Sequence, residues 1–283
     1  PMRITERDEA IVRAVFRHRL LSSPQIEALF FQSDKPRGRQ TSCQRRLQLL
    51  FHHGFLDRIA LPIVLGEGRA PYVYALDEMG ATLVASQSDM DRDEVDWLPK
   101  HNQVGHQFVT HTLAVNDFRI AVTLLAEAGR FTVNEWISEA EFSSVKMRSR
   151  VPFRMHGARV TRNYPDGYFR LTLPEVEQEA HFFLETDMGS MSNSNWQEKV
   201  QAYKEFRSRG LSETYFGTQN FRVLAPTTGK RRMGSLKRTT ERAGGDRFFW
   251  FTCQDRVDIW NPELVLESIW EVATQNGEYA LLS

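Results

Sequence analysis

Residues 165–187 read PDGYFRLTLPEVEQEAHFFLETD and contain the pattern that decides the fold of the second half of the chain. Two strand-like runs are bounded by acids, with Asp166 before the first run and Glu185 and Asp187 after the second. If the two strands are antiparallel, these acids lie at one edge of a sheet. Three carboxylates so placed repel one another unless a cation lies between them. The pattern therefore predicts a metal site for Mg²⁺ or Mn²⁺, which could activate water and stabilise a phosphoryl transition state.

The elements around this strand pair have the predicted order α-β-β-β-α-β. A long apolar helix covers about residues 103–128, and the strand FTVNEWISE follows it. After the quoted pair come a helix over residues 194–208 and the strand FRVLAP. Further on, RFFWFTCQD is typical of a strand, and NPELVLESIWEVA predicts a terminal helix.

The first part of the chain predicts a winged helix-turn-helix. Apolar residues at helical spacing indicate one helix over residues 5–18, a second capped by Ser23, and a third, TSCQRRLQLLFHHG, ended by Gly54. The runs FLDRIALPIV and YVYALD, joined by LGEGRAP, then predict a β-hairpin, and DEMGATLVAS predicts a helix. Three helices followed by a hairpin is the order of this DNA-binding module.

In such a module the third helix enters the major groove and the hairpin contacts the DNA backbone. The residues expected to contact double-stranded DNA are Arg37, Arg39, Gln44, Arg45 and Gln48 at or near the third helix, and Arg69 in the hairpin turn. The alternative is that these are solvated polar positions of a packing helix.

Charge is segregated although the formal net charge is zero. Residues 89–96 carry five acids and one Arg, so residues 89–100 are interpreted as an acidic linker between a domain over 1–88 and another over 101–283. Residues 204–247 carry eleven Lys or Arg and four acids. Basic stretches at 146–162 and 230–238 are expected to neutralise DNA phosphates, unless they are ordinary solvated surface. Their predicted DNA contacts are Arg162, Lys230, Arg231 and Arg232.

Several classes of protein are disfavoured by the sequence. Cys43 and Cys253 are far apart and belong to no CxxC motif, so neither a disulfide framework nor a zinc site is indicated. No apolar run approaches the roughly 20 residues of a membrane helix, and nothing at the start resembles a signal peptide, so a cytoplasmic location is expected. No GxxxxGK[ST] or GxSxG motif is present, which disfavours ATP use and a serine hydrolase.

The α-β-β-β-α-β order, with PD on one strand and ExD on the next, resembles the PD-(D/E)XK nuclease superfamily. Nearly the whole chain also resembles the replication-relaxation family of mobile-element proteins and the related MobC-type plasmid relaxases. The stretches that carry this resemblance are HTLAVND, PDGYF, FFLETDMG, EKVQAYKEF and FRVLAP. The resemblance implies an α+β chain that joins a winged helix to a nuclease-like domain. It also implies metal-dependent DNA scission at a plasmid or transfer origin, with other relaxosome or replication proteins as partners.

One departure from the superfamily motif concerns its lysine. The motif has Lys two residues after the Glu, but Asp187 stands there in this chain. Lys199 is the candidate replacement, since the following helix could direct its ammonium toward the acids and the phosphate. Tyr203, one turn later, is a candidate catalytic group, with a core position as the favoured alternative.

The long helix and the first strand add weaker candidates. His111 is a possible fourth metal ligand, although a hydrogen-bonded core histidine is favoured. Glu135 and Glu139 are weaker carboxylate candidates, and Asn116 and Asp117 match the family pattern. Two hypotheses remain open: a relaxase-like nickase, and a non-catalytic DNA-binding replication accessory or transcription regulator with a degenerate nuclease domain. Many winged-helix proteins are dimers, so a homodimer is among the expected arrangements.

Overall fold

A computed structural model describes residues 2–32, 36–61, 70–144, 164–174 and 177–282. Contacts between Cα atoms divide the chain into two compact units, residues 1–120 and 121–283. The predicted α+β class is confirmed, because both units combine helices with a sheet. The hairpin turn with Arg69 and the basic stretch 146–162 with Arg162 lie outside the described residues.

The described residues of the first unit form four α-helices and a small sheet before the long helix that leads into the second unit. Its elements are α1 (Glu6–His18), β1 (Leu20–Ser22), α2 (Ser23–Phe30), α3 (Pro36–His52), β2 (Leu56–Ile59), β3 (Val73–Leu76) and α4 (Glu78–Gln87). The three strands are antiparallel in the order β1-β3-β2. β2 and β3 form the predicted hairpin, so the unit has the helix and strand order expected of a winged helix-turn-helix.

Local capping explains where the first two helices begin. Thr5 and Asp8 form a capping box at α1, in which each side chain binds the other residue's backbone N–H. Ser22 and Gln25 do the same at α2, so the predicted cap at Ser23 was one residue too late. The third helix begins at Pro36, five residues before the predicted start at Thr41, because a proline suits the first turn of a helix.

The long helix α5 (His106–Glu127) begins in the first unit. Asn116 donates hydrogen bonds to the carbonyl oxygens of His18, at 3.2 Å, and Leu20, at 2.6 Å. Asp117 accepts one from Gln25 at 2.7 Å. The family-pattern residues Asn116 and Asp117 therefore hold α5 against α1, β1 and α2.

The acidic segment before α5 contributes to packing. It contains two short 3₁₀ turns, Arg92–Glu94 and Pro99–Asn102, and the side chains of Val95 and Trp97 are buried. The predicted domain boundary at residues 89–100 stays a prediction, while the contacts group residues up to 120 with the first unit.

The second unit is built on a seven-stranded mixed sheet in the order β10-β9-β8-β7-β6-β5-β4. After α5 its elements are β4 (Thr132–Ser138), α6 (Glu139–Ser143), β5 (Gly167–Leu173), β6 (Gln178–Leu184), α7 (Asn193–Ser208), α8 (Leu211–Phe216), β7 (Arg222–Thr227), α9 (Lys230–Arg242), β8 (Phe249–Cys253), a 3₁₀ turn (Pro262–Leu266), β9 (Ser268–Val272) and β10 (Glu278–Ala280). Strands β4, β5 and β6 are antiparallel, whereas β6, β7 and β8 are parallel.

An aromatic core lies between this sheet and the helices α7 and α9. Alternate strand residues such as Phe183, Val223 and Phe251 pack against Trp196 of α7 and Leu236 of α9, and all five are at most 1% exposed. Burying side chains of this size provides the main driving force for the unit. The core thereby fixes α7 over the end of β6, where the acids stand.

Two sequence predictions were wrong. The segment NPELVLESIWEVA was predicted as a terminal helix, but it forms the 3₁₀ turn Pro262–Leu266 and strand β9, which pairs with β8. Sheet pairing overrides the local helical pattern here. The segment TTGKRRMGSLKR was interpreted as a basic loop, but most of it forms α9. Met233, Leu236 and Thr240 are buried at helical spacing, a pattern that the basic composition concealed.

None of the helices in the described residues combines the length and the apolarity that a membrane span requires.

We expect Gly80→Ala to destabilise the first unit by about 1–3 kcal/mol. A Cβ atom at Gly80 would lie 2.1 Å from the carbonyl oxygen of Phe55, so α4 or the backbone at Phe55 has to shift. Gly38→Ala in α3 is the matched control, because nothing lies within 4 Å of its Cβ position. The control is expected to keep or raise stability, since alanine favours helix. Urea unfolding of both variants tests this, and equal stabilities would contradict it.

Candidate active site

Acidic side chains meet at one edge of the seven-stranded sheet. Gly167, the first residue of β5, pairs with Leu184, the last residue of β6, so Asp166 and Glu185 flank the same register position. Ser138, the last residue of β4, pairs with Gly167 as well, which brings Glu139 to this edge. Parallel β7 ends here at Thr227, which forms a bridge with Asp187. The antiparallel pairing predicted from the sequence is thus present.

The carboxylate of Glu185 is held by two groups from α7. Lys199 Nζ donates to Glu185 Oε2 in a close ion pair, and the Tyr203 hydroxyl donates to Glu185 Oε1 at 2.7 Å. Glu185 is 3% exposed and Lys199 is 7% exposed. Lys199 and Tyr203 are one helical turn apart, so both face the end of β6. The ammonium of Lys199 therefore lies beside the Glu of the ExD motif, and its role as a replacement for the motif lysine stays a prediction.

Asp166 lies beside this group. Its Oδ2 atom accepts a hydrogen bond from the Thr186 backbone N–H at 2.6 Å, and its own backbone N–H donates to the Leu184 carbonyl oxygen at 3.0 Å. Asp166 is half-buried, so this carboxylate is the more accessible of the two. The charge of Asp166 raises the pKa values of both Glu185 and Lys199, which places the three groups in one electrostatic centre.

Burial dominates the protonation of this centre. It raises the pKa of Glu185, against the opposing charge of Lys199, to about 7. Burial alone would lower the pKa of Lys199, but the charges of Glu185 and Asp166 outweigh it and raise that pKa. Lys199 is therefore a cation at neutral pH, and Glu185 exchanges a proton near neutrality.

Asp187 belongs to a different cluster. Arg232 of α9 binds it in a bidentate pair, with Nε to Oδ2 at 2.7 Å and Nη2 to Oδ1 at 2.9 Å, and Thr227 donates to Oδ2 at 2.8 Å. Arg232 also donates to Asn193 Oδ1 at 3.0 Å and to the Met191 carbonyl oxygen at 2.5 Å. Asp187 is 1% exposed. Through these hydrogen bonds Arg232 ties the β6–α7 loop and the start of α7 to α9.

The predicted cradle of three carboxylates does not form. Among the described residues, no three His, Cys, Asp or Glu side chains are gathered closely enough to hold a metal ion. Arg232 already compensates Asp187, so Asp166 and Glu185, with Glu139 at the same edge, are the carboxylates that could share a cation. Mg²⁺ is commonly bound through one or two carboxylates, with water and substrate phosphates completing its coordination. The donor set therefore fits a two-carboxylate site and does not fit the predicted three-acid or four-ligand site.

Tyr203 and His111 were the remaining catalytic and metal candidates. Tyr203 is 4% exposed and packs in the aromatic core, and burial together with Glu185 raises its pKa well above the usual value. A phenol so buried and so weakly acidic is a poor nucleophile, and its hydrogen bond serves to orient Glu185. His111 lies on α5 in the first compact unit, whereas Asp166 and Glu185 belong to the second.

The predicted DNA contacts differ in their accessibility. Gln44, Arg45 and Gln48 are exposed on one side of α3, opposite the buried Cys43 and Leu47. Arg39, by contrast, forms an ion pair with Glu27 of α2 at 2.7 Å. Arg37 has no described side chain.

The basic residues of α9 divide in the same way. Lys230 and Arg231 are exposed, but the guanidinium of Arg232 is bound to Asp187, which gives Arg232 a structural role. Sequence reasoning missed this pairing because it placed Arg232 in a loop. The helical spacing of Met233 and Leu236 was the signal that could have corrected it.

Comparison with known proteins gives one family match. The model of the family described as replication-relaxation matches residues 12–220. Among curated proteins, none matches the chain. Among solved structures, that of restriction endonuclease FokI aligns with 12% sequence identity and a TM-score of 0.31. This alignment covers 90% of the chain and 44% of FokI, so the chain spans less than half the length of that protein. A similarity this low supports no inference.

The raised pKa of Glu185 predicts a pH-dependent stability. Glu185 takes up its proton at about pH 7 in the folded state, against 4.5 ordinarily, so its contribution is complete below pH 4.5 and is lost as pH rises through 7. The reference is Glu185→Gln/Lys199→Met, which removes both buried charges. We expect the unfolding free energy of the wild type, relative to this variant, to fall by about 2 kcal/mol between pH 5 and 8. A constant difference in urea unfolding across that range would contradict the assignment.

Proposed function

The chain belongs to the replication-relaxation family, and on that premise we propose that it is a DNA-binding protein that nicks one strand of double-stranded DNA at a plasmid origin or transfer origin. Asp166, Glu185 and Lys199 form the proposed cleavage centre, and α3 is the proposed DNA-reading helix. The observation that carries the proposal is the ion pair of Lys199 with Glu185, because it restores an acid–acid–lysine group in a chain whose motif lacks the lysine.

In this proposal Asp166 and Glu185 hold one Mg²⁺ or Mn²⁺ ion. When bound, such an ion activates a water molecule and stabilises negative charge on the phosphate. The hydrogen bonds from Thr186 N–H and from Tyr203 leave further lone pairs on both carboxylates, since an ionised carboxylate offers about four acceptor positions. Lys199 keeps its proton on Nζ and provides a fixed positive charge beside Glu185. Such a charge favours a transition state in which negative charge develops on the phosphate oxygens.

A second candidate function is DNA binding without cleavage. Both oxygens of Glu185 already accept hydrogen bonds from Lys199 and Tyr203, and the group is buried. A buried ion pair whose charges compensate each other can also have a purely structural role. Removing either partner would then destabilise the fold, because one uncompensated charge would remain buried. A replication accessory or transcription regulator with this degenerate centre would bind the same DNA and leave it intact.

Nicking of supercoiled plasmid DNA separates the two functions. The substrates are supercoiled plasmids that carry DNA flanking the gene in its source replicon. The protein is incubated with each plasmid in the presence of Mn²⁺, and a parallel reaction with a chelator tests whether nicking depends on the metal. We expect conversion to the open circular form, with losses of at least about 100-fold for Asp166→Asn and Glu185→Gln, because catalytic metal and charge contacts are worth several kcal/mol. Tight DNA binding without nicking by the wild type would leave the non-catalytic function.

Tyr203→Phe tests the nature of the nucleophile in the same assay. This variant keeps the aromatic core and removes only the hydroxyl that binds Glu185. We expect a loss of at most about tenfold, the size of one hydrogen bond. Abolished nicking, or a covalent protein–DNA adduct that disappears in this variant, would instead show a tyrosine nucleophile.

The proposed DNA-reading face of α3 is tested by Gln44→Ala/Gln48→Ala. Both side chains are exposed, so the fold is expected to remain intact. If they contact base edges, the variant should lose about 1–3 kcal/mol of binding per contact at the cognate site and much less on unrelated DNA. Fluorescence anisotropy with both DNAs measures this, and unchanged discrimination would show that α3 does not read bases.

A further inference from the structure

The first unit has an arginine-lined cavity beside α3. The cavity measures about 820 Å³ and is open to solvent, and it lies between the start of α1 and one side of α3. Its charged lining residues are Arg3, Glu6, Arg7, Arg45 and Arg46. Arg46 is paired with Asp8, so Arg3, Arg7 and Arg45 against Glu6 leave the cavity with a net positive charge. None of the sequence predictions included Arg3, Arg7 or Arg46.

Arg46 holds this cavity in shape. Its guanidinium forms a bidentate pair with Asp8, which is 0% exposed, and donates to the Arg3 carbonyl oxygen at 2.9 Å. Asp8 also accepts hydrogen bonds from the Thr5 backbone N–H and hydroxyl, both at 2.7 Å. The charge of Arg46 is therefore matched by Asp8, and the residues before α1 are fixed against α3.

The other three arginines of the cavity are exposed, so their charges are accessible to an anion from solution. Arg7 stacks on the Phe31 ring, with its Cζ atom 4.9 Å from the ring centroid, which limits its rotamers while its charge stays exposed. Arg3 and Arg45 are exposed on the two sides of the cavity. Arginines held in place before binding lose less entropy when they contact a ligand.

We propose that this cavity binds phosphates of the DNA backbone next to the groove entered by α3, through Arg3, Arg7 and Arg45. The inference rests on the proposed role of α3 in DNA binding. Arg45 belongs both to the exposed side of α3 and to the cavity, so a duplex lying on α3 brings its phosphates to this concave surface. Planar guanidinium groups suit phosphate oxygens, and such contacts fix orientation without reading sequence.

Salt-dependent binding tests the proposal with Arg3→Gln/Arg7→Gln. The matched control is Arg13→Gln/Arg17→Gln, which removes two exposed charges of α1 that lie outside the cavity. The probe is random-sequence duplex DNA, because phosphate contacts do not depend on sequence. We expect the slope of log K against log salt concentration to fall by about 2 for the cavity variant, since each phosphate contact contributes about 0.9. The control should change the slope by less than about 0.5.

Equal slope changes in the two variants would overturn the proposal, because they would show a general effect of net charge. A second measurement uses duplexes with single methylphosphonate linkages. On a cognate duplex, neutralising the phosphates at the cavity should weaken binding by the wild type more than binding by the cavity variant, which keeps only Arg45 of the three proposed contacts, and equal losses for both proteins would also overturn it. Competition by inorganic phosphate alone, without any effect of the methylphosphonates, would identify a free-anion site and count against the DNA assignment.

The Gln44→Ala/Gln48→Ala variant distinguishes the role of α3 in DNA recognition from phosphate binding by the cavity. If it loses cognate discrimination while the cavity variant binds like the wild type, the role of α3 stands and the cavity has no part in it. If wild-type protein fails to bind any duplex, the proposed function falls together with this inference.

Discussion

The second unit depends on one constraint, which is that a carboxylate buried at the end of β6 requires a cation. Glu185 is 3% exposed, and moving a charge of this kind out of water costs several kcal/mol unless a partner is fixed in place. Lys199 can be that partner only if α7 is packed over the end of β6, which the aromatic core around Trp196 achieves. Core packing and site chemistry are therefore coupled, because the side chains that exclude water from the core also position the ammonium group.

The edge of the sheet then divides into two charge clusters with different roles. Asp166, Glu185 and Lys199 form a cluster whose protonation changes near neutral pH and in which one acid is half-buried. Asp187 and Arg232 form a closed pair that ties the loop after β6 to α9. Glu185 and Asp187 are separated by one residue but have different partners: Lys199 of α7 binds the first and Arg232 of α9 binds the second. In the proposed function the first cluster holds the metal ion, whereas the second ties α9 to the loop after β6.

The sequence predicted most of the fold, because it rests on local signals. Alternating apolar residues in YFRLTL and AHFFL marked β5 and β6, and Thr5 marked the start of α1. It also suggested that Lys199 reaches the acids, since helical spacing limits where a side chain can point. The sequence did not predict contacts between residues that are distant along the chain. Arg232 reaches Asp187 from 45 residues away, β9 forms only because β8 is beside it, and the cavity at Arg3 depends on contacts between α1 and α3.

The Asp187–Arg232 pair also limits how far the chain can be shortened. The family match ends at residue 220, but the guanidinium that neutralises Asp187 lies twelve residues beyond that point. A fragment trimmed to the matched region would keep both acids of the proposed centre and lose β7, α9 and the counterion of a fully buried carboxylate. Removing one partner of a buried ion pair typically lowers the free energy of unfolding by about 3–5 kcal/mol. The smallest autonomous piece of this protein that retains the acidic edge must therefore extend through α9, and family resemblance alone is a poor guide to where expression boundaries belong.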